Sequence, residues 1–328
     1  MIISEKFIKY MGRFDFSNEG NVKLAWTHTS MKINFFGSKV SAELESDGND
    51  YFLVVLDGEV YNNCFKVTKK NLYTLVDGIE KKSHTIELIK RTEAFVGTST
   101  FYGFELFDGY ILDKPQDNEF KIEIFGDSIS CGYGNEAENE NSGYDPINGN
   151  SYFSYGSIAA RDLNADLNLT SWAGLGLVRN YDDSPNPLPE RIDWITPSNV
   201  NIKWNFSNFK PNVVIINLGT NDFNEKPPTK EKFVEEYKKF INRIISYYGD
   251  IKIICAIGPV MDGESLEHIR EYVKYGVVEY YNSNENKKIY FLEHEHQKER
   301  NGYGETYHPS RRTHEIMANE IINKIREI

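Results

Sequence analysis

Cysteine is scarce: three residues in 328, Cys64, Cys131 and Cys255. They are odd in number, scattered and without metal-type spacing, so they make no disulfide framework and suit a reducing compartment. The chain also lacks any apolar run near the ~18 residues that a membrane-spanning helix requires. Basic residues are in deficit: 37 Lys and Arg against 49 Asp and Glu give a formal net charge of −12, spread along the chain. That acidity argues against nucleic acid as a partner, because a polyanion needs basic patches. The first residues, Met1-Ile-Ile-Ser-Glu-Lys-Phe7, carry charges early and have no apolar core of a secretory signal, so a cytoplasmic location is expected. There is no internal repeat and no low-complexity segment, and the oligomeric state is not legible.

Against these absences, 40% hydrophobic and 14% aromatic residues supply a sizeable core. Up to about residue 110 the pattern is short and alternating: Val22–Trp26, Ile33–Phe36, Val40–Leu44, Tyr51–Leu56, Leu72–Val76, His84–Lys90 and Phe101–Leu106. Turn-rich separators such as Asp57-Gly58 and Asp77-Gly78 punctuate these runs. Many strands at short spacing predict an antiparallel, jelly-roll-like sandwich over residues 1–112. A polar stretch, Leu112–Asn118, marks a boundary, after which the pattern becomes strand, loop, helix. Helical periods run through Tyr152–Leu163, Lys230–Tyr247, Ser265–Tyr281 and Ser310–Ile325, between apolar runs Val213–Leu218, Ile251–Ile257 and Lys288–Leu292. Apolar strands alternating with helices predict a three-layer α/β domain with a parallel sheet over residues 118–328.

The stretch Phe120-Lys-Ile-Glu-Ile-Phe-Gly-Asp-Ser-Ile-Ser-Cys-Gly-Tyr-Gly134 begins as a strand and breaks at Gly126-Asp127-Ser128. Open α/β sheets place their chemistry just past the C-terminal ends of strands. Ser128 is therefore a candidate nucleophile, and an ordinary turn is the other reading, because Gly, Asp and Ser favour turns. Asp127 is expected to brace that turn rather than to do chemistry. The string lacks the second glycine of the lipase-type G-x-S-x-G elbow. A serine nucleophile needs oxyanion donors and a base. Three stretches offer them: Gly174 in Ser171–Gly176 for a backbone N–H, Asn221 in Asn217–Asp222 for an amide, and His308 in Glu305–Ser310 for the base. All lie at or beyond predicted strand ends.

In this order, Gly126-Asp127-Ser128, Gly174, Gly219-x-Asn221-Asp222 and His308-Pro309 resemble the four blocks of the SGNH (GDSL) hydrolases. The longer strings Gly126–Asn135, Trp172–Tyr181 and Asn217–Phe223, with His84–Glu93 in the sandwich, resemble carbohydrate esterase family two. The resemblance implies a β-sandwich followed by an SGNH domain, and removal of O-acetyl groups from acetylated carbohydrates such as xylan or mannan fragments. It implies Ser128 as nucleophile, His308 as base, the N–H groups of Ser128 and Gly174 with the Asn221 amide as oxyanion donors, and no metal or organic cofactor. Relatives with an acidic partner usually place Asp two residues before the histidine; Thr306 stands there, and Glu305 is three before. The orienting group is thus either Glu305 or a main-chain carbonyl.

Two other functions stay open: an acylhydrolase acting on a non-sugar ester, and a non-catalytic carbohydrate-binding protein built on the aromatic-rich sandwich. Trp172 and Tyr307 are candidates for an aromatic wall against a sugar ring, with core packing as the alternative. Glu293-His-Glu-His296 tempts as a metal site, but two histidines on one strand face are too few for a closed zinc site. His314 reads as structural, and Cys131 as a packed thiol.

Overall fold

The computed structural model describes residues 3–224, 227–285 and 287–328. They form two compact units, one of residues up to Asn118 plus Trp194–Lys203, the other of Glu119–Asp193 plus Trp204–Ile328.

The first unit is built from two antiparallel sheets. One runs in the order Lys9–Met11, Ser30–Gly37, Lys82–Lys90, Asp50–Leu56 and Glu59–Val67, with Tyr110–Ile111 added on Ser30–Gly37. The other runs Val22–Leu24, Ser99–Leu106, Val40–Ser46, Asn71–Val76. Alternate residues of both, among them Ile33, Phe35, Phe52, Val54, Ile86 and Leu88 from one and Ala42, Leu44, Phe101 and Phe104 from the other, share one buried core. Within it Lys90 and Asp50, both fully buried, meet at 2.8 Å, and Thr92 bonds to both. Losing one partner of such a pair costs about 3–5 kcal/mol because the other charge is stranded.

The hairpin Trp194–Thr196/Asn199–Lys203 groups with this unit, although the sequence reading placed all of 118–328 in the second domain. Side-chain bonds explain it: the Trp194 carbonyl accepts from Arg13 (3.2 Å) and from the Trp26 indole (3.1 Å).

The second unit holds a five-stranded parallel sheet, ordered Ala165–Ser171, Phe120–Gly126, Val213–Asn217, Lys252–Ile257, Ile289–Glu293. Ile122 and Ile124 face a layer made by helices Tyr155–Asp162 and Arg311–Glu327. On the opposite face Phe125 meets Phe240 of helix Lys230–Tyr248, ring centroids 5.5 Å apart. Glu123 also lies on that face and is fully buried; it is tolerated because Asn168 and the Tyr248 hydroxyl donate to its two oxygens. The three-layer parallel domain anticipated from the alternating pattern is present.

Strand order fixes where a site can form. Phe120–Gly126 lies between the strand that follows it and Val213–Asn217, so the chain leaves it to one side and later returns on the other. Crevices open at such switch points, outside the C-terminal strand ends. Gly126 is the last residue of that strand, in register with Ser171 and Asn217.

Candidate active site

A four-residue helix, Ser128–Cys131, starts directly after Gly126. Asp127 is its N-cap, its Oδ1 accepting from Ile129 N at 3.0 Å, which satisfies one otherwise orphaned helix donor. The strand must turn closely here: a Cβ on Gly126 would lie 2.0 Å from the Ser130 hydroxyl. Ser128 is thereby held at the crevice, and its Oγ lies 2.8 Å from His308 Nε2.

His308 comes from the loop before helix Arg311–Glu327, which Ser310 caps by accepting from Thr313 N. Two consecutive non-glycine residues before it, Thr306 (φ 49°) and Tyr307 (φ 61°), adopt left-handed backbone, a strain of about 1–3 kcal/mol each. The surroundings over-determine that shape. Glu305 N donates to Gly134 O, Thr306 N to Glu140 O, Gly304 N to His308 O, and Gln297 Nε2 to Tyr307 O, all between 2.7 and 3.0 Å. Gly134 is what lets the two segments touch, since a Cβ there would lie 2.3 Å from the Glu305 Cβ.

The question of the orienting group has a geometric answer. His308 Nδ1 lies 3.0 Å from the main-chain oxygen of Glu305 and 3.0 Å from Thr306 Oγ1. The Glu305 carboxylate is buried and turned elsewhere, accepting from Asn148 Nδ2 (3.1 Å) and Asp145 N (3.4 Å). Glu305 thus touches the imidazole through its carbonyl, and its side chain ties the loop before His308 to residues 145–148. Burial lowers the His308 pKa to about 4, against the opposing pull of the hydrogen bond to the Glu305 backbone. The Tyr133 ring covers the imidazole at 4.4 Å.

Asn221 and Gly174 follow the strands on either side of Ser128. Gly174, at φ 78°, accepts from Tyr181 N through its carbonyl. Asn221 is buried and donates from Nδ2 to the carbonyl of Leu175, the residue after Gly174, at 2.9 Å. Its neighbour Asp222 accepts from the N–H groups of Leu177, Val178 and Arg179 at 2.6–2.9 Å. Burial raises its pKa to about 6 in spite of those three donors. Asn221 and Asp222 therefore clamp the Gly174 loop from the adjacent strand end.

A cavity of about 390 Å³ opens over Ser128, Asn221 and His308. Tyr307 lines it, and so do Tyr181, Phe223, Met261, Asp262 and Gln297, none of which the sequence reading assigned to a site. Trp172, expected beside Tyr307, is not among the lining residues; its ring lies 4.7 Å from the Arg191 guanidinium. Gly174 does not line the cavity either.

Glu293, His294, Glu295 and His296 are turned to separate partners: Arg270, Glu320, Lys298 and the Met261 carbonyl. Among the described residues no group of three or more His, Cys, Asp and Glu is placed to hold a metal ion. His314 is fully buried and accepts from Tyr155 N; burial lowers its pKa to about 3.

A parallel sheet with a serine–histidine pair at its switch point, on a Gly-Asp-Ser turn, defines the class as a GDSL-type hydrolase. Two family models match the chain: carbohydrate esterase 2 N-terminal over residues 10–115, and GDSL-like lipase/acylhydrolase over residues 122–321. A structure of a family two carbohydrate esterase from Clostridium thermocellum, in complex with cellohexaose, is 39% identical, covers 98% of each chain and has a TM-score of 0.94. Cellulase/esterase CelE of Acetivibrio thermocellus is 40% identical over 320 residues, 97% of this chain. The chain spans 39% of that relative's length. An acetylxylan esterase/glucomannan deacetylase of Cellvibrio japonicus is 24% identical over 99% of this chain and 90% of its own. The chain belongs to the GDSL-like lipase/acylhydrolase family and, within it, to carbohydrate esterase family two.

Proposed function

We propose that the protein is a serine esterase that removes O-acetyl groups from acetylated carbohydrates, xylo- and manno-oligosaccharides among them. The observation that carries this reading is the 2.8 Å contact of Ser128 Oγ with His308 Nε2 on the wall of a cavity large enough for more than an acetyl group. The names of the relatives, an acetylxylan esterase/glucomannan deacetylase and a cellulase/esterase, support the acetylated sugar as substrate.

In this reading Ser128 Oγ attacks the acetyl carbonyl as His308 Nε2 takes its proton. The Glu305 carbonyl accepts the Nδ1 proton and so fixes the tautomer that leaves Nε2 free as acceptor. Negative charge on the tetrahedral oxygen is met by the N–H of Ser128 and by the second amide hydrogen of Asn221, the first being bonded to Leu175. Collapse breaks the bond to the sugar oxygen, which His308 protonates. Water, deprotonated by the same nitrogen, then attacks the acetyl-serine; the bond to Ser128 Oγ breaks, His308 returns the proton to that oxygen, and acetate leaves. Neither a metal nor an organic cofactor enters these steps.

The test is acetate release from a panel of acetylated xylo- and manno-oligosaccharides, with Ser128→Ala as control. Release that disappears in the variant supports the proposal; no release from any acetylated sugar or aryl acetate overturns it. A second reading, an acylhydrolase of a non-sugar ester, is favoured by the apolar residues Ile129, Phe223, Val260 and Met261 along the cavity. An acyl-chain series separates the two, since a preference for long chains would select the second.

Two further results are expected. His308 works as a base only when neutral, and its pKa lies near 4 rather than 6.5. The acid limb of kcat/KM should therefore fall near pH 4, with activity retained at pH 5–6; a limb near 6.5 would contradict it. Stability follows the same sign: the unfolded histidine binds a proton between pH 6.5 and 4 that the folded one refuses. Its contribution is thus full above 6.5 and is lost as pH falls toward 4. For Glu305→Gln, kcat should stay within about 10-fold of wild type, whereas triads that need the acid lose about 10⁴-fold when it is amidated. A loss of that larger size would return the orienting role to the carboxylate.

A further inference from the structure

The cavity over Ser128 has one wall that the acyl-transfer steps leave idle. Asp262 is the N-cap of helix Gly263–Arg270, with extended backbone (φ −142°, ψ 179°), yet its side chain makes no cap hydrogen bond. Aspartate in that place ordinarily turns its oxygen onto the first-turn N–H groups. Here it lines the cavity instead, on the same lining as Ser128 and His308. Gln297, another lining residue, is buried; its Nε2 is spent on the Tyr307 carbonyl at 2.7 Å, and its Oε1 is buried without a partner among the described residues. Asp262 is exposed at the cavity with its local helix donors unused, so its carboxylate is available to a ligand that brings donors. Acetyl groups have none. Sugar hydroxyls have several, and the aromatic residues Tyr181, Phe223 and Tyr307 line the same cavity.

Resting on the esterase reading above, we propose that Asp262, with Gln297 in the same cavity, binds the free hydroxyls of the sugar that carries the acetate. Asp262 is then the specificity determinant of the site. Its carboxylate favours neutral polyol esters over simple aryl acetates, and over acidic sugars, which it repels.

The experiment measures kcat and KM of wild type, Asp262→Asn and Asp262→Ala on an acetylated xylo-oligosaccharide, an acetylated uronic-acid oligomer and 4-nitrophenyl acetate. Charged hydrogen bonds to a substrate hydroxyl are worth about 10- to 100-fold. The ratio of sugar to aryl kcat/KM should fall by about that factor in Asp262→Ala, mainly through KM. The uronic-acid oligomer should gain on the neutral one in Asp262→Asn, which keeps the shape without the charge. Unchanged ratios in both variants would overturn the assignment. Failure of the esterase reading looks different: wild type would then cleave aryl acetate in a Ser128-dependent way and no acetylated sugar at all, and the Asp262 assignment would fall with it.

Discussion

Replacing Ser128 by Ala is expected to lower kcat on an acetyl ester by about 10⁴- to 10⁶-fold, His308→Ala by a similar factor, and the double substitution by no more than either alone. The equality follows from the contact. With Nε2 at 2.8 Å from Oγ, the two groups form one proton-transfer unit, and each is idle without the other. What survives comes from binding and oxyanion donors that neither substitution touches. Stability should separate the two variants. Ser128→Ala removes one hydroxyl and leaves the Asp127 cap on Ile129 in place. His308→Ala also removes a ring packed against Tyr133 and two hydrogen bonds within a strained loop, so its Tm should fall further. Kinetics on an aryl acetate with thermal melts of all four proteins checks this. Additive losses in the double variant would show that the serine and histidine act independently and would remove the mechanism drawn above.

Much of this site was legible in the sequence because Ser128 and Asn221 come soon after strands and His308 stands in the loop before the last helix. Ser128 and Asn221 follow apolar runs, His308 lies in the long loop between the last strand and the last helix, and a parallel sheet gathers such loops at one edge. Of the cavity wall Tyr307 was legible, and most of the rest was not. Tyr181, Phe223, Asp262 and Gln297 come from four separate loops, and only tertiary folding brings them together. Glu305 shows a different limit: the group that meets His308 is a carbonyl, which every residue carries, so no side-chain pattern marks it. The indirect signal was glycine at 134, where the Glu305 backbone passes too close for a Cβ. In the first unit, the strand Glu59–Val67 escaped notice because nearly all its residues are exposed or half-exposed on the edge of its sheet, leaving no apolar face to read. The hairpin Trp194–Lys203 escaped because it interrupts a βα pattern, and its anchors, Arg13 and Trp26, lie far away in sequence.

Asn221→Ala should cost about 10²–10³ in kcat with little change in KM, the signature of a donor used on the oxyanion and not on the ground-state ester. The amide has two hydrogens. One is committed to Leu175 O, which leaves one for a transient charge and fixes its direction before substrate arrives. Such preorganisation is what makes a donor effective in a buried site. The same bond creates a confounding effect, because losing it also loosens the loop that carries Gly174. Asp222→Asn is the comparator. It weakens the clamp on Leu177, Val178 and Arg179 and keeps the Asn221 amide. If Asn221 acts through loop position alone, the two variants should lose kcat alike and lose Tm alike. If it donates to the oxyanion, Asn221→Ala should lose at least about tenfold more kcat than Asp222→Asn at the same loss of Tm.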